Sequence, residues 1–293
     1  MAVRYGEPDP VMPGVVRLVA NNPGPFTFKG TNTYLVGMTE LAVIDPGPDD
    51  AAHRQHILDI AGGRPITHIL LTHAHRDHTD GARPLASMTG APILAYGRSR
   101  DAERVKAGHE PQGKAFVDYD LEPDVRLFHG DIIQSAEFQI EALHTPGHAP
   151  DHLCFALEAG RVLFSGDHVM SWNTTVIAPP EGRMSDYIRS LELLQPRRDR
   201  VYLPGHGGRI DQPQRVVKAY LVHRQWRETA VLEAIRGGAT TIPEVVAKVY
   251  AGIDPKLITA AGLSVLAHVE TLVERRLVTC EEPLSLDRRF SAL

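Results

Sequence analysis

The sequence predicts an α/β (α+β) protein with two facing sheets, followed by a small helical domain. Three observations carry that expectation. Apolar runs of strand length alternate with helical spans between Val15 and His206. Four of those runs break at their carboxyl ends into histidine or aspartate. No GxGxxG turn is present, so a dinucleotide-binding sheet is not expected.

In chain order, Val15–Ala20 reads as a strand, and Asn21-Asn22-Pro23-Gly24-Pro25 as turn chemistry. Asn32–Val36 and Leu41–Ile44 read as paired strands joined at Gly37. Asp45 closes the second of them, placed either to orient a ligand histidine or to make an Asx-turn. Residues 51–61 suit a helix, Ile66–Leu71 a buried strand, Asp80–Thr89 a helix and Pro92–Tyr96 a strand. Residues 97–130 read as a loop with a short helix at Arg100–Lys106. Phe138–Leu143, Leu153–Leu157 and Arg161–Phe164 return to strand. Domain boundaries are expected at 1–212 and 213–293. In the second part, Asp211 and Pro213 open a helix that Gly237-Gly238 ends. Thr241-Ile-Pro-Glu244 has the form of a capping box. A longer helix starts at Asp254-Pro255, and Leu277–Cys280 with Arg288–Leu293 suits a small hairpin. Three helices and a hairpin make a winged-helix shape.

Composition excludes several classes. Of 293 residues, 43% are hydrophobic and 23% charged, which is ordinary globular usage. The formal charge of −5 gives no general attraction to nucleic acid or membrane. Two distant cysteines, Cys154 and Cys280, do not suit a disulfide scaffold or a cysteine-ligated zinc finger. No apolar run approaches the ~18 residues of a membrane span. The first ten residues lack the apolar core of a secretory signal, so a cytoplasmic location is expected.

The chemistry concentrates in Ile69-Leu-Leu-Thr-His-Ala-His-Arg-Asp-His-Thr-Asp-Gly81, where His73, His75, Asp77 and His78 follow an apolar strand. His73 and His75 are two apart and point the same way on extended chain, whereas Asp77 and His78 diverge. That pattern suits two neighbouring ions, one on His73 and His75 and one on Asp77 and His78. Leu143-His-Thr-Pro-Gly-His148, Val162-Leu-Phe-Ser-Gly-Asp-His168 and Val201-Tyr-Leu-Pro-Gly-His-Gly207 repeat the grammar of strand, glycine and ligand. His144, His152 and His168 stand beside these motifs outside the ligand positions. His144 reads as a strand-end histidine with a structural hydrogen bond. His152 suits support of a ligand, contact with substrate or simple packing, and His168 suits support of a ligand.

His73-Ala-His-Arg-Asp-His78, His148, Asp167 and His206, in this order and spacing, resemble the signature of the metallo-β-lactamase superfamily. The resemblance covers about the first 210 residues. It implies an αββα sandwich with the metals at one edge. It also implies a ligand set: His73, His75 and His148 on one ion, Asp77, His78 and His206 on the other, and Asp167 bridging. Asn22-Pro-Gly-Pro-Phe-Thr-Phe-Lys-Gly-Thr-Asn-Thr-Tyr-Leu-Val36, Thr145-Pro-Gly-His-Ala-Pro-Asp-His152, Asn173-Thr-Thr-Val176 and the helical tail are similar to the β-lactamase-like protein 2 group, which includes a mitochondrial endoribonuclease. Hydroxyacylglutathione hydrolases are more distantly similar.

The expectation is therefore a dinuclear hydrolase holding two divalent ions, zinc first, with manganese or iron(II) as alternatives. Two ions about 3.5–4 Å apart can share a hydroxide at neutral pH. Asp77 is the candidate catalytic residue, orienting that hydroxide or passing a proton. Flavodiiron oxygen reductases of the superfamily that the chain resembles carry glutamate at the position of His75, so the resemblance implies hydrolysis over redox chemistry. Asp167 and His206 are 39 residues apart, which leaves no room for the β-CASP cap of the superfamily's RNA-processing nucleases. The leading expected substrate is single-stranded RNA, with Trp172 available to stack a base or to pack in the core. The alternatives are a small thioester and, in another class, a nucleic-acid-binding protein with a structural metal. From residue 215 onward eleven Lys/Arg stand against nine Asp/Glu. That balance disfavours duplex DNA and leaves the tail as a wall of the cleft or a homodimer support.

Overall fold

The protein is described from a computed structural model covering residues 3–97, 116–281 and 285–293. The helix expected at Arg100–Lys106 lies outside the described residues. The chain forms two compact units: Met1–Thr145 with Asp151–Thr175 and Arg197–Pro213, and Pro146–Pro150 with Val176–Pro196 and Gln214–Leu293.

The first unit carries two sheets. One is ordered β1 (Asp9–Met12), β2 (Val15–Val19), β3 (Asn32–Val36), β4 (Leu41–Ile44), β5 (Ile66–Leu70), β6 (Ile93–Ala95), β7 (Val125–Arg126). The first four strands run antiparallel to their neighbours, and β4 through β7 run parallel. The other is ordered β12 (Val201–Pro204), β11 (Val162–Gly166), β10 (Leu153–Leu157), β9 (Gln139–His144), β8 (Ile132–Gln134). Here only β11 and β12 pair in parallel.

The period-2 alternation of strands explains why the runs are apolar on both faces. Tyr34, Val36, Ala42, Ile44 and Leu70 join Ile140, Phe155, Phe164 and Leu203 in a core made by both sheets. The intervening Leu35, Leu41, Val43 and Ile69 point the other way. There they pack with Ile57 and Ala61 of α1 (Ala51–Ala61) and Leu85 of α3 (Ala82–Thr89). Asp50 caps α1, its carboxylate accepting from the Ala52 and His53 amides. A one-turn helix, α2 (Arg76–Thr79), separates β5 from α3, so the helix expected to begin at Asp80 begins at Ala82. Phe155 is fully buried in the inter-sheet core. Phe155→Ala is expected to cost about 3–5 kcal/mol, read as a lower urea midpoint.

Parallel pairing places chain ends together. The carboxyl ends of β4 and β5 lie side by side and lead to Asp45 and to Thr72-His73, while those of β11 and β12 lead to Asp167 and His206. Backbone bonds join the sheets at this edge: Asn32 N–H to Gly205 O at 2.7 Å and Leu153 N–H to Thr72 O at 2.7 Å.

The second unit contains α4 (Met184–Leu194), α5 (Pro213–Arg236), α6 (Ile242–Val249), a 3-10 turn at Pro255–Leu257, α7 (Ile258–Glu274) and the antiparallel hairpin of β13 (Val278–Cys280) and β14 (Phe290–Ala292). The Thr241–Glu244 capping box forms as expected. Val231, Ile235, Val245, Val265, Leu272 and Phe290 share one core. The third helix opens as the 3-10 turn rather than directly from Pro255. The helix α4 was not expected from the sequence, although Met184, Tyr187, Leu191 and Leu194 recur at helical spacing and are all fully buried. No helix among the described residues is long and apolar enough to cross a membrane.

Candidate metal centre

Six of the seven expected ligands belong to the first unit and converge at the strand-end edge. Ligand atoms of His73, His78 and Asp167 lie within 4.8 Å of one another, as do those of Asp77, His78 and His206. His73 Nε2 is 2.9 Å from His75 Nδ1. His78 Nε2 is 3.3 Å from His206 Nε2, 3.4 Å from Asp77 Oδ2 and 3.7 Å from Asp167 Oδ1. His206 Nε2 is 3.3 Å from both Asp77 Oδ2 and Asp167 Oδ2. Ligands about 2.0–2.2 Å from a tetrahedral ion stand about 3.3–3.6 Å from one another, a spacing that the 3.3–3.4 Å separations around His78 and His206 match. The donors are all nitrogen and carboxylate oxygen, the set that suits zinc, manganese or iron.

The charge balance points the same way. Burial alone would lower the pKa of His78, but Asp77, Asp45 and Asp167 raise it to about 9. Burial would likewise lower that of His206, yet Asp167 and Asp77 hold it well above its ordinary value. Burial would raise Asp77, while His78 and His206 keep its carboxyl well below the usual carboxylate range. The carboxylates thus favour positive charge at this cluster, whether carried by the imidazoles or by a bound cation.

Each imidazole is fixed from behind. His78 Nδ1 donates to Asp45 Oδ2 at 2.9 Å. Asp45 itself is held by the Thr72 amide (2.8 Å) and hydroxyl (2.7 Å), and has a left-handed φ of 50°. His206 Nδ1 donates to Gly30 O at 3.2 Å, and Thr72 Oγ1 lies 2.9 Å from His73 Nδ1. In the second unit, His148 Nδ1 donates to Val176 O at 2.7 Å. These bonds set the Nδ1–H tautomer of these rings, the one whose Nε2 could ligate a metal. Asp45→Asn is expected to weaken metal affinity 10–100-fold, measured by competition with a chromophoric chelator.

Asp77 is the most exposed of these carboxylates, at 28% against 9% for Asp167. It accepts the Thr31 hydroxyl at 3.0 Å. Thr31 is positioned by Asn22, whose Oδ1 accepts the Thr31 amide (2.9 Å) and whose Nδ2 donates to Thr31 Oγ1 (3.0 Å). Asn32 Nδ2 donates to Pro204 O (2.8 Å) and Gly207 O (3.0 Å), bracketing His206. Asn22, Thr31 and Asn32 lie in the segment that resembles the β-lactamase-like protein 2 group, but no supporting role was read for them from the sequence. Gly205 is required by close approach: a Cβ there would sit 2.5 Å from Asp167 Oδ1 and 2.8 Å from His78 Cε1.

The three flanking histidines separate. His144 stacks on Tyr96 with centroids 4.1 Å apart, and its amide donates to His129 Nδ1 at 3.3 Å. His152 is fully buried; its Nε2 accepts the Asp167 amide at 3.1 Å and its Nδ1 donates to Thr145 Oγ1 at 2.9 Å. It therefore holds the turn that presents Asp167. His168 is fully buried, with its ring centroid 5.8 Å from that of His152.

A domain description for the metallo-beta-lactamase superfamily matches residues 26–206, and one for the beta-lactamase-associated winged helix domain matches residues 241–283. The chain belongs to the metallo-beta-lactamase superfamily, and is a hydrolase of that class with the family's mixed α/β sandwich and a winged helix. Among its relatives, the lactamase-like protein adaB of Aspergillus niger is 32% identical over 98% of this chain and 89% of its own. The atrochrysone carboxyl ACP thioesterase of Aspergillus fumigatus is 32% identical over 78% of this chain and 67% of its own. The metallo-beta-lactamase family protein TTHA1429 of Thermus thermophilus superposes with a TM-score of 0.76 at 26% identity, over 97% of this chain and 100% of its own. The superfamily binds divalent metals, and the His/Asp cluster supplies donors for them.

Proposed function

We propose that the chain is a dinuclear metal-dependent hydrolase of small acyl thioesters. The observation that carries the chemistry is the set of 3.3–3.7 Å separations among His78, His206, Asp77 and Asp167. The thioesterase relative supports the substrate class. In this reading His73, His75 and His148 would hold one ion, Asp77, His78 and His206 would hold the other, and Asp167 would be shared by both. Zinc fits the donor set best, with manganese and iron(II) as alternatives. When bound, the ions supply Lewis acidity and an acidified water at neutral pH. Residues 1–212 carry catalysis and 213–293 the winged helix.

The protein's own groups then act as follows. Asp77, kept ionised by its imidazole neighbours and fixed by Thr31, accepts a hydrogen bond from the attacking water and orients it. Asp45, Gly30 O and Val176 O keep His78, His206 and His148 in the donating tautomer at Nδ1. The water oxygen bonds to the acyl carbon, the carbon–sulfur bond breaks, and the products are a carboxylate, a thiol and a proton.

Single-stranded RNA is the second reading, favoured by the winged-helix match. The net charge of −5 weighs against a polyanionic substrate. The test is direct: metal-loaded protein is given acetyl and aryl thioesters of N-acetylcysteamine, with thiol release read by a disulfide dye, beside end-labelled RNA. Metal-dependent thiol release without RNA cleavage is expected. RNA cleavage without thiol release overturns the thioester reading.

A further inference from the structure

Three polar side chains stand on the face of the first sheet that looks into the inter-sheet core. Arg17 of β2 lies directly opposite Tyr34 of β3, and Asn32 comes two residues before Tyr34, so all three share that face. Val15 and Val36, the next pair along it, are core residues. Arg17 is 7% exposed, Asn32 1% and Tyr34 2%. A guanidinium, an amide and a phenol at this depth are costly unless they are hydrogen-bonded. All three turn their donors on one loop.

That loop is Pro204–Gly207, which carries His206. Among the described residues β12 is the edge strand of its sheet, paired with β11. On its other side the chain folds back, and Tyr202 and Ile210 exchange amide bonds of 3.0 and 2.9 Å. The carbonyls between are met from the first sheet. Tyr34 Oη donates to Pro204 O at 2.8 Å, as does Asn32 Nδ2. Arg17 Nη1 and Asn32 Nδ2 both donate to Gly207 O at 3.0 Å. Arg17 Nη2 reaches Asp9 Oδ2 at 2.5 Å, and Asp9 lies opposite Arg17 on β1, so the guanidinium fork is itself aimed. The carbonyl before His206 and the one after it thus each accept two side-chain donors. Two donors use both lone pairs of a carbonyl and fix the rotation of its peptide plane, which fixes the direction in which the His206 side chain leaves the loop.

We propose that Arg17 and Tyr34, together with Asn32, are positioning residues for His206, and that they set the affinity of the ion assigned to Asp77, His78 and His206 while leaving that of the other ion unchanged. The proposal rests on the ligand set given above. The bonds of these side chains end on backbone carbonyls, so they act through the loop. Selectivity follows from the separate backing of the other imidazoles: Thr72 Oγ1 lies 2.9 Å from His73 Nδ1, and Asp45 accepts His78 Nδ1 at 2.9 Å. A functional constellation tolerates only about 0.5 Å of misplacement, so a loop released from one donor loses affinity before it loses its fold.

The test challenges zinc-loaded protein with graded chromophoric chelator and fits two stepwise dissociation constants. His206→Ala assigns them, since the constant that it abolishes belongs to the His206 ion. Tyr34→Phe removes one hydroxyl and keeps the ring in the core. Arg17→Met removes the charge and its donors. Each is expected to weaken the His206 constant about tenfold, with the other constant as in the parent. Arg17→Lys, which keeps a donor for Gly207 O, is expected to recover part of the loss. The melting temperature of zinc-free protein is read on every variant, because a role in packing alone would lower it and weaken both constants together. That pattern overturns the proposal, and so do unchanged constants in Tyr34→Phe and Arg17→Met where His206→Ala abolishes one; both outcomes leave the ligand set standing. If the parent holds a single zinc, or His206→Ala leaves both constants in place, the ligand set fails and the proposal with it. If Arg17→Met does not fold, Tyr34→Phe decides the question by the same criteria.

Discussion

Asp77→Asn is expected to lower turnover about 10³-fold, the scale of several kcal/mol of lost transition-state stabilisation. The substitution is nearly isosteric, and the asparagine oxygen can still accept the Thr31 hydroxyl that now bonds Asp77 Oδ2 at 3.0 Å. What it removes is the negative charge facing His78 and His206. The loss should fall on kcat, with the circular dichroism spectrum kept. Thr31→Val, which leaves the charge and removes only its hydrogen bond, should cost much less. Equal losses in the two variants would mean that the geometry of the loop, rather than the charge of Asp77, governs the reaction. The comparison is read from steady-state kinetics on a thioester.

Removing the metals should have the other large effect, on activity and stability together. Ligands that bind only the folded state stabilise it by about 2.7 kcal/mol each at a hundredfold excess over Kd. Two ions lost from one centre then lower the melting temperature on the order of 10 °C. The cluster explains the direction. His73 Nε2 and His75 Nδ1 stand 2.9 Å apart, His78 Nε2 and His206 Nε2 3.3 Å apart, and Asp77 and Asp167 both face His206. Such close nitrogen and oxygen donors present their lone pairs to a common cation, and binding one to the folded state alone adds to its stability. Chelator-treated protein should therefore lose turnover and melt earlier, with both restored by added zinc. Differential scanning calorimetry and thiol release read the two effects on one sample.

Much of this site was legible in the sequence because its ligands sit where strand patterns stop. His73, Asp167 and His206 each follow an apolar run that the period-2 packing of two cores requires to be apolar on both faces. The run also fixes where the chain must turn. Asp45 allowed two readings, orienting a histidine or making a local turn, and the fold combines a left-handed backbone with a bond to His78. The supporting residues were less visible. Thr31 acts on a side chain 46 residues away, and Asn32 on a carbonyl 172 residues away. Only the pairing of β-strand ends creates those partners. His152 was open between packing and support, and its bond to the Asp167 amide depends on the register that sets β10 beside β11. The short outer strands β1, β7 and β8 gave no clear pattern, since their exposed residues, such as Val125 and Ile132, do not alternate with a full core.

The central claim is that these side chains hold two ions at one hydrolytic centre. The most direct test is the metal content per chain after exhaustive dialysis, by plasma mass spectrometry, with thioester turnover measured on the same sample. Two metals per chain, falling to about one in His206→Ala with loss of turnover, is the predicted result. One tightly held metal per chain, unchanged in that variant and accompanied by no hydrolysis, would contradict the account and leave a structural metal in a nucleic-acid-binding protein as the better reading.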